Sequence, residues 1–280
     1  MRTFRFEHIS SPLNASFAIS RGARTSAESV RVWLSEDGVT GRGDCLPFPR
    51  YGESIESVCA QLDAVRDALE GGLTREELQS VMTAGAARCA VDAALWDLEA
   101  KLTGVPVWQR AELPEPKPLA TTMTLSIADA QSMAQAAKAT PATILKLKLG
   151  GPQELDRVAA VHAARPDAKL IVDGNEAIAQ EGFDRLIKKM ADLGVSLIEQ
   201  PFLVGDDEAL RTRLGAVPIC ADESVHTSSD LEALAEKYDV INIKLDKAGG
   251  LTEGLRMLAA CRRLGLGVMV GCMVVGSLNM

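Results

Sequence analysis

Short apolar segments alternate with amphipathic stretches through the second part of the chain. The apolar segments lie at residues 119–125, 144–149, 169–172, 196–198, 218–220, 240–245 and 266–270. The stretches between them carry helical patterns and include residues 153–164, 182–193 and 228–236. Strands that alternate with helices predict a parallel sheet. Seven such strands without a glycine-rich phosphate motif favour a (β/α) barrel of the TIM type over an open doubly wound sheet.

The first part of the chain has the pattern of an α+β domain. Alternating apolar and polar residues at 2–9 and 28–35 predict strands, and Asp37-Gly38 predicts a tight hairpin turn. Two helical stretches follow, over about 54–69 and about 86–101.

The proline-rich segment LPEPKP, at residues 113–118, is a stiff connector that cannot continue a helix. We therefore predict an α+β domain over residues 1–113 and a barrel domain over residues 114–280. A barrel of this type has eight strands. Seven candidates precede Met280, so we expect the barrel in this chain to lack its last strand.

Composition and charge narrow the function. The 280 residues carry a formal net charge of −8, which argues against nucleic acid because phosphate binding requires a basic face. The six cysteines are scattered without a CxxC pair. No apolar run has the position of a signal peptide or the length of a membrane span. We expect a cytoplasmic protein with reduced thiols that acts on a small molecule, not on nucleic acid or a membrane.

Charged residues follow five consecutive strand candidates. They are spaced by 25, 26, 23 and 25 residues, about one βα unit each, and are Lys148, Asp173, Glu199, Asp222 and Lys247. In a barrel of this kind the carboxyl ends of the strands carry the active site. Buried charges are costly unless they are paired or bind a metal, so we expect these side chains to form one site.

Three carboxylates on neighbouring strands form an all-oxygen site that suits one Mg²⁺ ion. Such an ion on a substrate carboxylate stabilises the charge that develops when the α-proton leaves. Lys148 and Lys247 flank the three carboxylates, so one lysine can remove a proton from one face while the other delivers one to the opposite face. A lysine is a base near neutrality only if its pKa is lowered, and the metal and Lys146 are the cations available for this.

Each of these features also has a simpler interpretation. KLKL, at residues 146–149, is typical of a strand with charged edges. Asp222-Glu223-Ser224 is typical of the residues that cap the start of a helix. A strand-end lysine is usually solvated. The functional interpretation therefore depends on all five residues recurring with the period of the fold.

In these motifs and their order the chain resembles the enolase superfamily, over nearly its whole length. One helix and five strands carry the resemblance: RCAVDAALWDLEAKLTG (88–104), KLKL (146–149), IVDGN (171–175) with IEQP (198–201) and ADES (221–224), and INIKLDKAGG (241–250). The resemblance implies an N-terminal capping domain, Lys148 as a base assisted by Lys146, and Mg²⁺ held by Asp173, Glu199 and Asp222. Lys244 competes for the second base on sequence grounds, and the resemblance assigns that role to Lys247.

Two further segments resemble the lid loops of the Ala-Glu dipeptide epimerases within that superfamily. They are RGART, within the predicted lid loop 20–25, and GDCLPFPRYGES, which spans the predicted lid loop 45–54. By resemblance Arg24 would pair with a carboxylate of the substrate through its guanidinium fork. The other implied substrate-binding residues are Tyr51, Thr122, Asn175, Cys272 and Met273, the last two as pocket wall.

The resemblance implies Mg²⁺-dependent epimerisation of L-Ala-D-Glu and L-Ala-L-Glu dipeptides by two-lysine proton transfer, in the recycling of murein peptides. It also implies self-association as a homo-oligomer. Two alternatives stay open: another superfamily reaction (a muconate-type cycloisomerase or o-succinylbenzoate synthase), or a truncated non-catalytic subunit. In these epimerases a late Asp-x-Asp holds the substrate ammonium group, and no such motif follows residue 270 here. The residues after Asn175 also lack the aromatic that is frequent in the family.

Overall fold

The computed structural model describes residues 1–19, 22–151, 153–213, 215 and 217–278, and for 14–19 and 22–24 the backbone alone. A three-stranded antiparallel sheet forms the N-terminal part, in the order β1 (Thr3–Ile19), β2 (Gly22–Glu36) and β3 (Val39–Cys45). Asp37 and Gly38 join β2 to β3 with φ of 50° and 78°. Both values lie in the left-handed region that a two-residue hairpin loop requires, so the predicted turn is confirmed.

The first two strands extend well beyond the predicted segments. Val30, Val32 and Leu34 face the core and are fully buried, whereas the residues at 10–13 and 25–26 are exposed or half-buried. Among the side chains that the structure describes, those at 10–13 and 25–26 are thus not buried in the core. The alternation of apolar and polar residues, on which the prediction was based, therefore did not indicate these outer residues as strand.

Four helices follow the sheet: α1 (Ile55–Glu70), α2 (Arg75–Val81), α3 (Ala86–Thr103) and α4 (Val107–Arg110). Ser54 and Thr74 begin α1 and α2 with reciprocal capping hydrogen bonds. The two predicted helices are confirmed as α1 and α3. The sequence did not predict α2, which has seven residues and buries Leu78 alone, too little for a periodic signal.

The second part contains seven strands and six helices in the described residues. In chain order they are β4 (Met123–Leu125), α5 (Ala130–Lys138), β5 (Ile144–Lys148), α6 (Glu154–Ala164), β6 (Lys169–Asp173), α7 (Phe183–Asp192), β7 (Val195–Glu199), β8 (Ile219–Ala221), α8 (Leu231–Leu234), β9 (Val240–Lys244), α9 (Leu245–Ala248), α10 (Leu251–Leu264) and β10 (Gly267–Gly271). Each strand pairs in parallel with the next along the chain. The curled sheet has β4 and β10 at its edges. The enolase-like barrel fold is confirmed.

One predicted helix is shorter than expected. Residues 228–236 form a 3₁₀ turn, Ser228–Asp230, followed by the four-residue α8. The Asp230 carboxylate accepts hydrogen bonds from the amides of His226 and Thr227, 2.8 Å each, and so fixes a tight turn where a longer helix would begin.

The register of the sheet brings the predicted charged residues to one edge. Lys148 pairs with Asp173, and Asp173 pairs with Glu199. Glu199 pairs with Cys220, two residues before Asp222. Since all these strands are parallel, these side chains meet at the carboxyl edge of the sheet.

The two parts have separate apolar cores, and α3 lies between them. One core contains α1, α3 and the inner face of the N-terminal sheet, and the other fills the space between the parallel strands and their helices. None of the helices in the described part of the chain combines the length and apolar character that a bilayer span needs. All six cysteines fall within the described residues and carry free thiols.

Candidate active site

Three carboxylates form the centre of the site. Asp173 and Glu199 are the last residues of β6 and β7, and Asp222 is the first residue after β8. All three are essentially inaccessible to solvent, and one oxygen from each lies within 4.8 Å of the others. The strand ends thus bring together residues that are 23 and 26 positions apart in the chain.

Two lysines from β5 approach the carboxylates from one side. Lys146 Nζ lies 2.9 Å from Asp173 Oδ2 and 2.6 Å from Glu199 Oε2. Lys148 Nζ donates to Asp173 Oδ2 at 2.6 Å and to Asn175 Oδ1 at 2.9 Å. Both side chains point the same way, because residues two apart in a strand share a face.

Two further lysines approach from β9 and α9. Lys244 Nζ donates to Asp222 Oδ2 at 2.5 Å. Lys247 Nζ donates to Asp222 Oδ1 at 2.6 Å and also to the main-chain oxygen of Asp222. The side chain of Lys244 is 13% exposed and that of Lys247 is 1% exposed. Both lysines are thus largely buried, and Lys244 is the less enclosed of the two.

The charges of this cluster shift one another's pKa values. Burial and the neighbouring Asp173 carboxylate raise the pKa of Glu199 to about 7. Burial alone would also raise the pKa of Asp173, but the ammonium groups of Lys146 and Lys148 outweigh it and lower that pKa. Lys244 and Lys247 likewise lower the pKa of Asp222 against the effect of burial. Burial lowers the pKa of Lys247, whereas Asp222 and Glu199 outweigh burial at Lys244 and raise its pKa.

The carboxylates have the properties of a site for a hard divalent cation. Their donors are oxygens alone, which Mg²⁺ prefers. Glu199 Oε2 is buried, and it forms an ion pair with Lys146 Nζ at 2.6 Å. Three buried carboxylates so close together repel one another, and a divalent cation would offset that repulsion. The triad can hold a metal ion.

Two amide side chains hold the carboxylates in place. Gln200 Oε1 accepts the backbone N–H groups of Asp222 and Ser224, at 2.9 and 3.1 Å, and so ties the end of β7 to the loop after β8. Asn242 Nδ2 donates to Glu199 Oε1 at 2.9 Å. Both residues are buried, and their hydrogen bonds help to fix the orientation of two carboxylates.

The backbone beyond two of the strands is unusual. Asn175, Glu176 and Gln200 have φ of 41°, 67° and 32°, the left-handed region that side-chain-bearing residues rarely adopt. Such conformations persist where surrounding contacts determine them, and they cluster at functional sites. Here the amide of Asn175 donates to Asp173 Oδ1 at 2.9 Å, so the turn itself orients a carboxylate.

A loop of the N-terminal part lies against the same edge of the sheet. It contains the 3₁₀ turn Pro49–Tyr51, and the Arg50 guanidinium donates to both carboxylate oxygens of Glu176 at 2.7 and 3.0 Å. The Tyr51 ring packs edge-on against His226, with 4.8 Å between ring centroids. These two contacts join the loop to the segments that follow β6 and β8.

The remaining predicted substrate-binding residues have varied surroundings. The side chain of Arg24 lies outside the described residues. Thr122 is half-buried just before β4, and Cys272 and Met273 follow β10, the former exposed and the latter half-buried. Asn175 links Lys148 to Glu223. Its Oδ1 accepts from Lys148 Nζ at 2.9 Å, and its Nδ2 donates to Glu223 Oε1 at 3.2 Å.

Several residues that shape the site were missed at the sequence level. Gln200 stands next to Glu199 in IEQP, and Asn242 is two residues before Lys244 and so shares its strand face. Their positions beside predicted site residues were the sequence signals that could have identified them. Arg50 and Glu176 are 126 residues apart, and no local pattern indicates their contact.

Comparison with known proteins identifies the family. Residues 2–110 match the "Mandelate racemase / muconate lactonizing enzyme, N-terminal domain" and residues 128–280 match the "Enolase C-terminal domain-like" family. The chain is 45% identical to L-Ala-D/L-Glu epimerase of Escherichia coli K12, over 99% of this chain and 87% of that protein.

Solved structures agree. An enolase family member from Agrobacterium tumefaciens with homology to dipeptide epimerases, with bound sodium and L-Ala-L-Glu, superposes with a TM-score of 0.97 at 46% identity, covering 100% of this chain and 86% of that one. A dipeptide epimerase from Enterococcus faecalis, complexed with Mg and L-Leu-L-Tyr, gives 0.90 at 29% identity, covering 97% and 82%. The relative and the solved structures match both parts of the chain, and the chain is therefore a member of the enolase superfamily, with the N- and C-terminal domains of its mandelate racemase and muconate lactonizing enzyme group.

Proposed function

We propose that this protein is a magnesium-dependent epimerase that interconverts L-Ala-D-Glu and L-Ala-L-Glu. The observation that carries the proposal is the carboxylate triad, which has lysine ammonium groups on two sides. Lys146 and Lys148 contact Asp173, and Lys244 and Lys247 contact Asp222. The 45% identity to an L-Ala-D/L-Glu epimerase supports the choice of substrate.

Asp173, Glu199 and Asp222 would hold a single Mg²⁺ ion. When bound, the ion supplies positive charge that stabilises the substrate carboxylate as the α-proton leaves and lowers the pKa of neighbouring ammonium groups. Gln200 and Asn242 keep the carboxylates oriented for this task.

The lysines exchange one proton for another at the glutamyl α-carbon. A neutral lysine on one face takes the α-proton. The C–H bond of the α-carbon breaks, and the electron pair of that bond moves toward the substrate carboxylate. The ammonium group of the lysine on the opposite face then delivers a proton, and a new C–H bond forms with inverted configuration. One proton leaves and one enters, so the reaction needs no further reactant. Lys148 is the proposed base on the β5 side, with Lys146 assisting.

Two lysines compete for the base on the β9 side. Lys247 fits the motif before Gly249-Gly250, and burial lowers its pKa. Lys244 ends the strand itself, and its side chain is 13% exposed where that of Lys247 is 1% exposed. A base must touch its substrate, and Lys247 is enclosed and donates to a main-chain oxygen. Access therefore favours Lys244 as the second base, with Lys247 holding Asp222.

Substrate recognition is proposed for the lid and the strand ends. Arg24 would pair with the side-chain carboxylate of the glutamyl residue. The other proposed contacts are Tyr51, Thr122, Asn175, Cys272 and Met273. In the cell the reaction would serve the reuse of murein peptides in the cytoplasm, and the protein would act as a homo-oligomer.

The decisive experiment follows the glutamyl α-proton. The protein is incubated with Mg²⁺ and L-Ala-L-Glu in deuterated water and examined by proton NMR. Loss of the α-proton signal, together with appearance of L-Ala-D-Glu, is expected. Absence of exchange with either epimer, together with turnover of a lactone or a cyclohexadiene acid, would assign a cycloisomerase or synthase reaction instead. Absence of all turnover in folded protein would leave a non-catalytic subunit.

A further inference from the structure

Helix α3 of the N-terminal part contacts the segment that carries two of the lysines. We call residues 244–250 the lysine turn: it comprises Lys244, the short helix α9 with Lys247, and Gly249 with Gly250. Polar side chains of α3 contact the C-terminal end of α9 and the start of α10. In the sequence analysis this helix only contributed to the family resemblance. The proposed proton transfer assigns no role to its polar residues.

Arg88 holds the end of α9. Its Nη2 donates to the Ala248 carbonyl at 2.7 Å, and its Nε donates to the Gly249 carbonyl at 3.1 Å. These carbonyls lie at the C-terminus of α9, where a helix leaves oxygens without partners and a cation is favoured. Arg88 is 6% exposed, so water does not compete for these hydrogen bonds.

Asp92, one turn further along α3, holds the start of α10. The fully buried carboxylate accepts from Thr252 N at 3.0 Å and from Thr252 Oγ1 at 2.5 Å. This is the task of a helix N-cap, performed by a residue from another helix. Trp96, a further turn along, donates from Nε1 to the same Thr252 hydroxyl at 3.0 Å.

The two glycines of the lysine turn allow this close approach. Their φ values are 81° and 114°, in the left-handed region. A Cβ on Gly249 would lie 2.4 Å from Arg88 Nε, and one on Gly250 would lie 2.4 Å from Asp92 Cβ. Arg88 and Asp92 thus occupy the space that side chains would fill, and the backbone path of the turn depends on them.

The lysine turn is also tied to the lid. The Asp246 carboxylate accepts from the backbone N–H of Leu46 at 2.9 Å, and Leu46 immediately precedes the loop with Arg50 and Tyr51. The N-terminal part therefore holds the turn itself through Arg88 and Leu46, and holds the first residues after it through Asp92.

We infer that Arg88 and Asp92 are positioning residues that hold the lysine turn in register for proton transfer on one face of the substrate. The inference rests on the proposed function. A buried charge is weak evidence of stabilisation, because apolar side chains would fill the same space at lower cost of desolvation. Two charged groups directed at the C-terminal end of the lysine turn and at the first residues of α10 instead fix the geometry of this junction. Lys148, on β5, has no contact with either residue.

The test compares the two faces of the reaction. Arg88→Lys and Asp92→Asn are conservative variants, and each is incubated with Mg²⁺ and either L-Ala-L-Glu or L-Ala-D-Glu in deuterated water. The epimer served by the lysine turn is the one whose α-proton exchange is lost in Lys244→Ala or Lys247→Ala. Exchange of that epimer is expected to fall about 10- to 100-fold in kcat, since small misplacements of a catalytic group have such effects. Exchange of the other epimer, which depends on Lys148, is expected to stay within about threefold of wild type.

Lys101→Gln is the matched control. Lys101 lies near the C-terminal end of α3, where it pairs with Asp97 at 2.7 Å and donates to the Thr40 carbonyl of β3 at 2.8 Å. Its substitution is expected to lower the unfolding temperature and to slow both epimers equally, if at all. Equal loss for both epimers in Arg88→Lys and Asp92→Asn would overturn the inference and leave these residues a structural role.

A second variant guards against loss of folding. Thr252→Val removes the hydroxyl between Asp92 and Trp96 while keeping the side-chain volume, and the same face-specific loss of at least about threefold is expected. Wild-type protein that exchanges neither epimer would refute the proposed function itself. Wild-type exchange of both epimers, with equal loss in all three variants, would refute only the positioning role.

Discussion

Lys244 and Lys247 are three residues apart and both contact Asp222, but their surroundings differ. Lys244 ends a strand whose side chains alternate, so its ammonium group meets the carboxylates at the mouth of the barrel. Lys247 sits on a helical turn and is enclosed by protein. At the residue scale, we propose that this difference in accessibility makes Lys244 the base and Lys247 the residue that holds Asp222.

Alanine variants of the lysines distinguish these roles. Lys148→Ala and Lys244→Ala are each expected to reduce epimerisation by at least about 1,000-fold, because general base catalysis contributes on the order of 10²–10⁴ and the missing group cannot be replaced. Each should still exchange the α-proton of one epimer. Proton NMR in deuterated water measures both quantities.

Lys247→Ala separates the two assignments. If Lys247 only holds Asp222, the variant should need more Mg²⁺ for half-maximal activity and still exchange both epimers at saturating metal. Loss of exchange with a single epimer in Lys247→Ala, combined with full exchange in Lys244→Ala, would return the second base to Lys247.

At the element scale, the 3₁₀ turn Pro49–Tyr51 is joined to the barrel by one bidentate ion pair and one aromatic contact. Glu176 is 4% exposed, and its Oε1 also accepts from the Val204 amide at 3.1 Å. Glu176 is three residues beyond Asp173 in a left-handed turn, so the lid is anchored close to the carboxylates. Loops over active sites open and close in many enzymes, and we propose that these contacts control such a motion here.

Loosening this anchor is expected to affect substrate binding more than chemistry. Glu176→Gln and Arg50→Lys should raise KM roughly three- to tenfold, about 1 kcal/mol, since the pair is bidentate but Arg50 is partly solvated. The value of kcat should change less than KM. Steady-state kinetics with L-Ala-L-Glu provide both constants.

Arg211→Gln is the control for the lid variants. Arg211 pairs with the exposed Glu208 in the segment between β7 and β8, away from the lid. KM should be unchanged in this variant. An equal rise of KM in Arg211→Gln, or a fall of kcat alone in the lid variants, would contradict the assignment of the lid anchor.

At the scale of the whole molecule, the site concentrates buried charge, and this links stability to pH. Burial and Asp173 raise the pKa of Glu199 from its ordinary 4.5 to about 7. The folded state therefore binds this proton more tightly than the unfolded chain does. The contribution of Glu199 to the free energy of unfolding is fully present below about pH 4.5 and is lost as the pH rises through about 7.

Glu199→Gln isolates this contribution. Without metal, the free energy of unfolding of the wild type relative to Glu199→Gln should fall between about pH 4.5 and about pH 7, by on the order of 3 kcal/mol, and stay level above. Denaturant unfolding in the presence of a chelator at several pH values measures it. A difference that is constant with pH would contradict the raised pKa.

Magnesium should reverse this trend. A metal requires the ionised carboxylate, so added Mg²⁺ should stabilise the wild type increasingly as the pH rises, by about 2.7 kcal/mol at 100 times its Kd. Added Mg²⁺ should raise the free energy of unfolding of Glu199→Gln much less. Glu208→Gln, an exposed acid outside the triad, should behave as the wild type.

The sequence determined the strand–helix period and thereby the edge at which the charged residues meet. Lys148, Asp173, Glu199 and Asp222 recur with the βα repeat, and parallel strands place their carboxyl ends side by side, so local periodicity was enough to bring them together. The Asp37-Gly38 turn and the helices α1 and α3 were likewise predicted from local sequence patterns. The short α2 buries Leu78 alone and gave no periodic signal, and the described side chains at 10–13 and 25–26 of β1 and β2 are not buried.

Only the tertiary structure decided which groups pair across the site. The exposure of Lys244 and Lys247 depends on how α9 packs, and the left-handed turns at Asn175 and Gln200 depend on neighbouring strands. Arg50 meets Glu176 across 126 residues, and Arg88 meets Gly249 across 161. Contacts between distant segments depend on the path of the whole chain, which hydrophobic periodicity within one element does not encode.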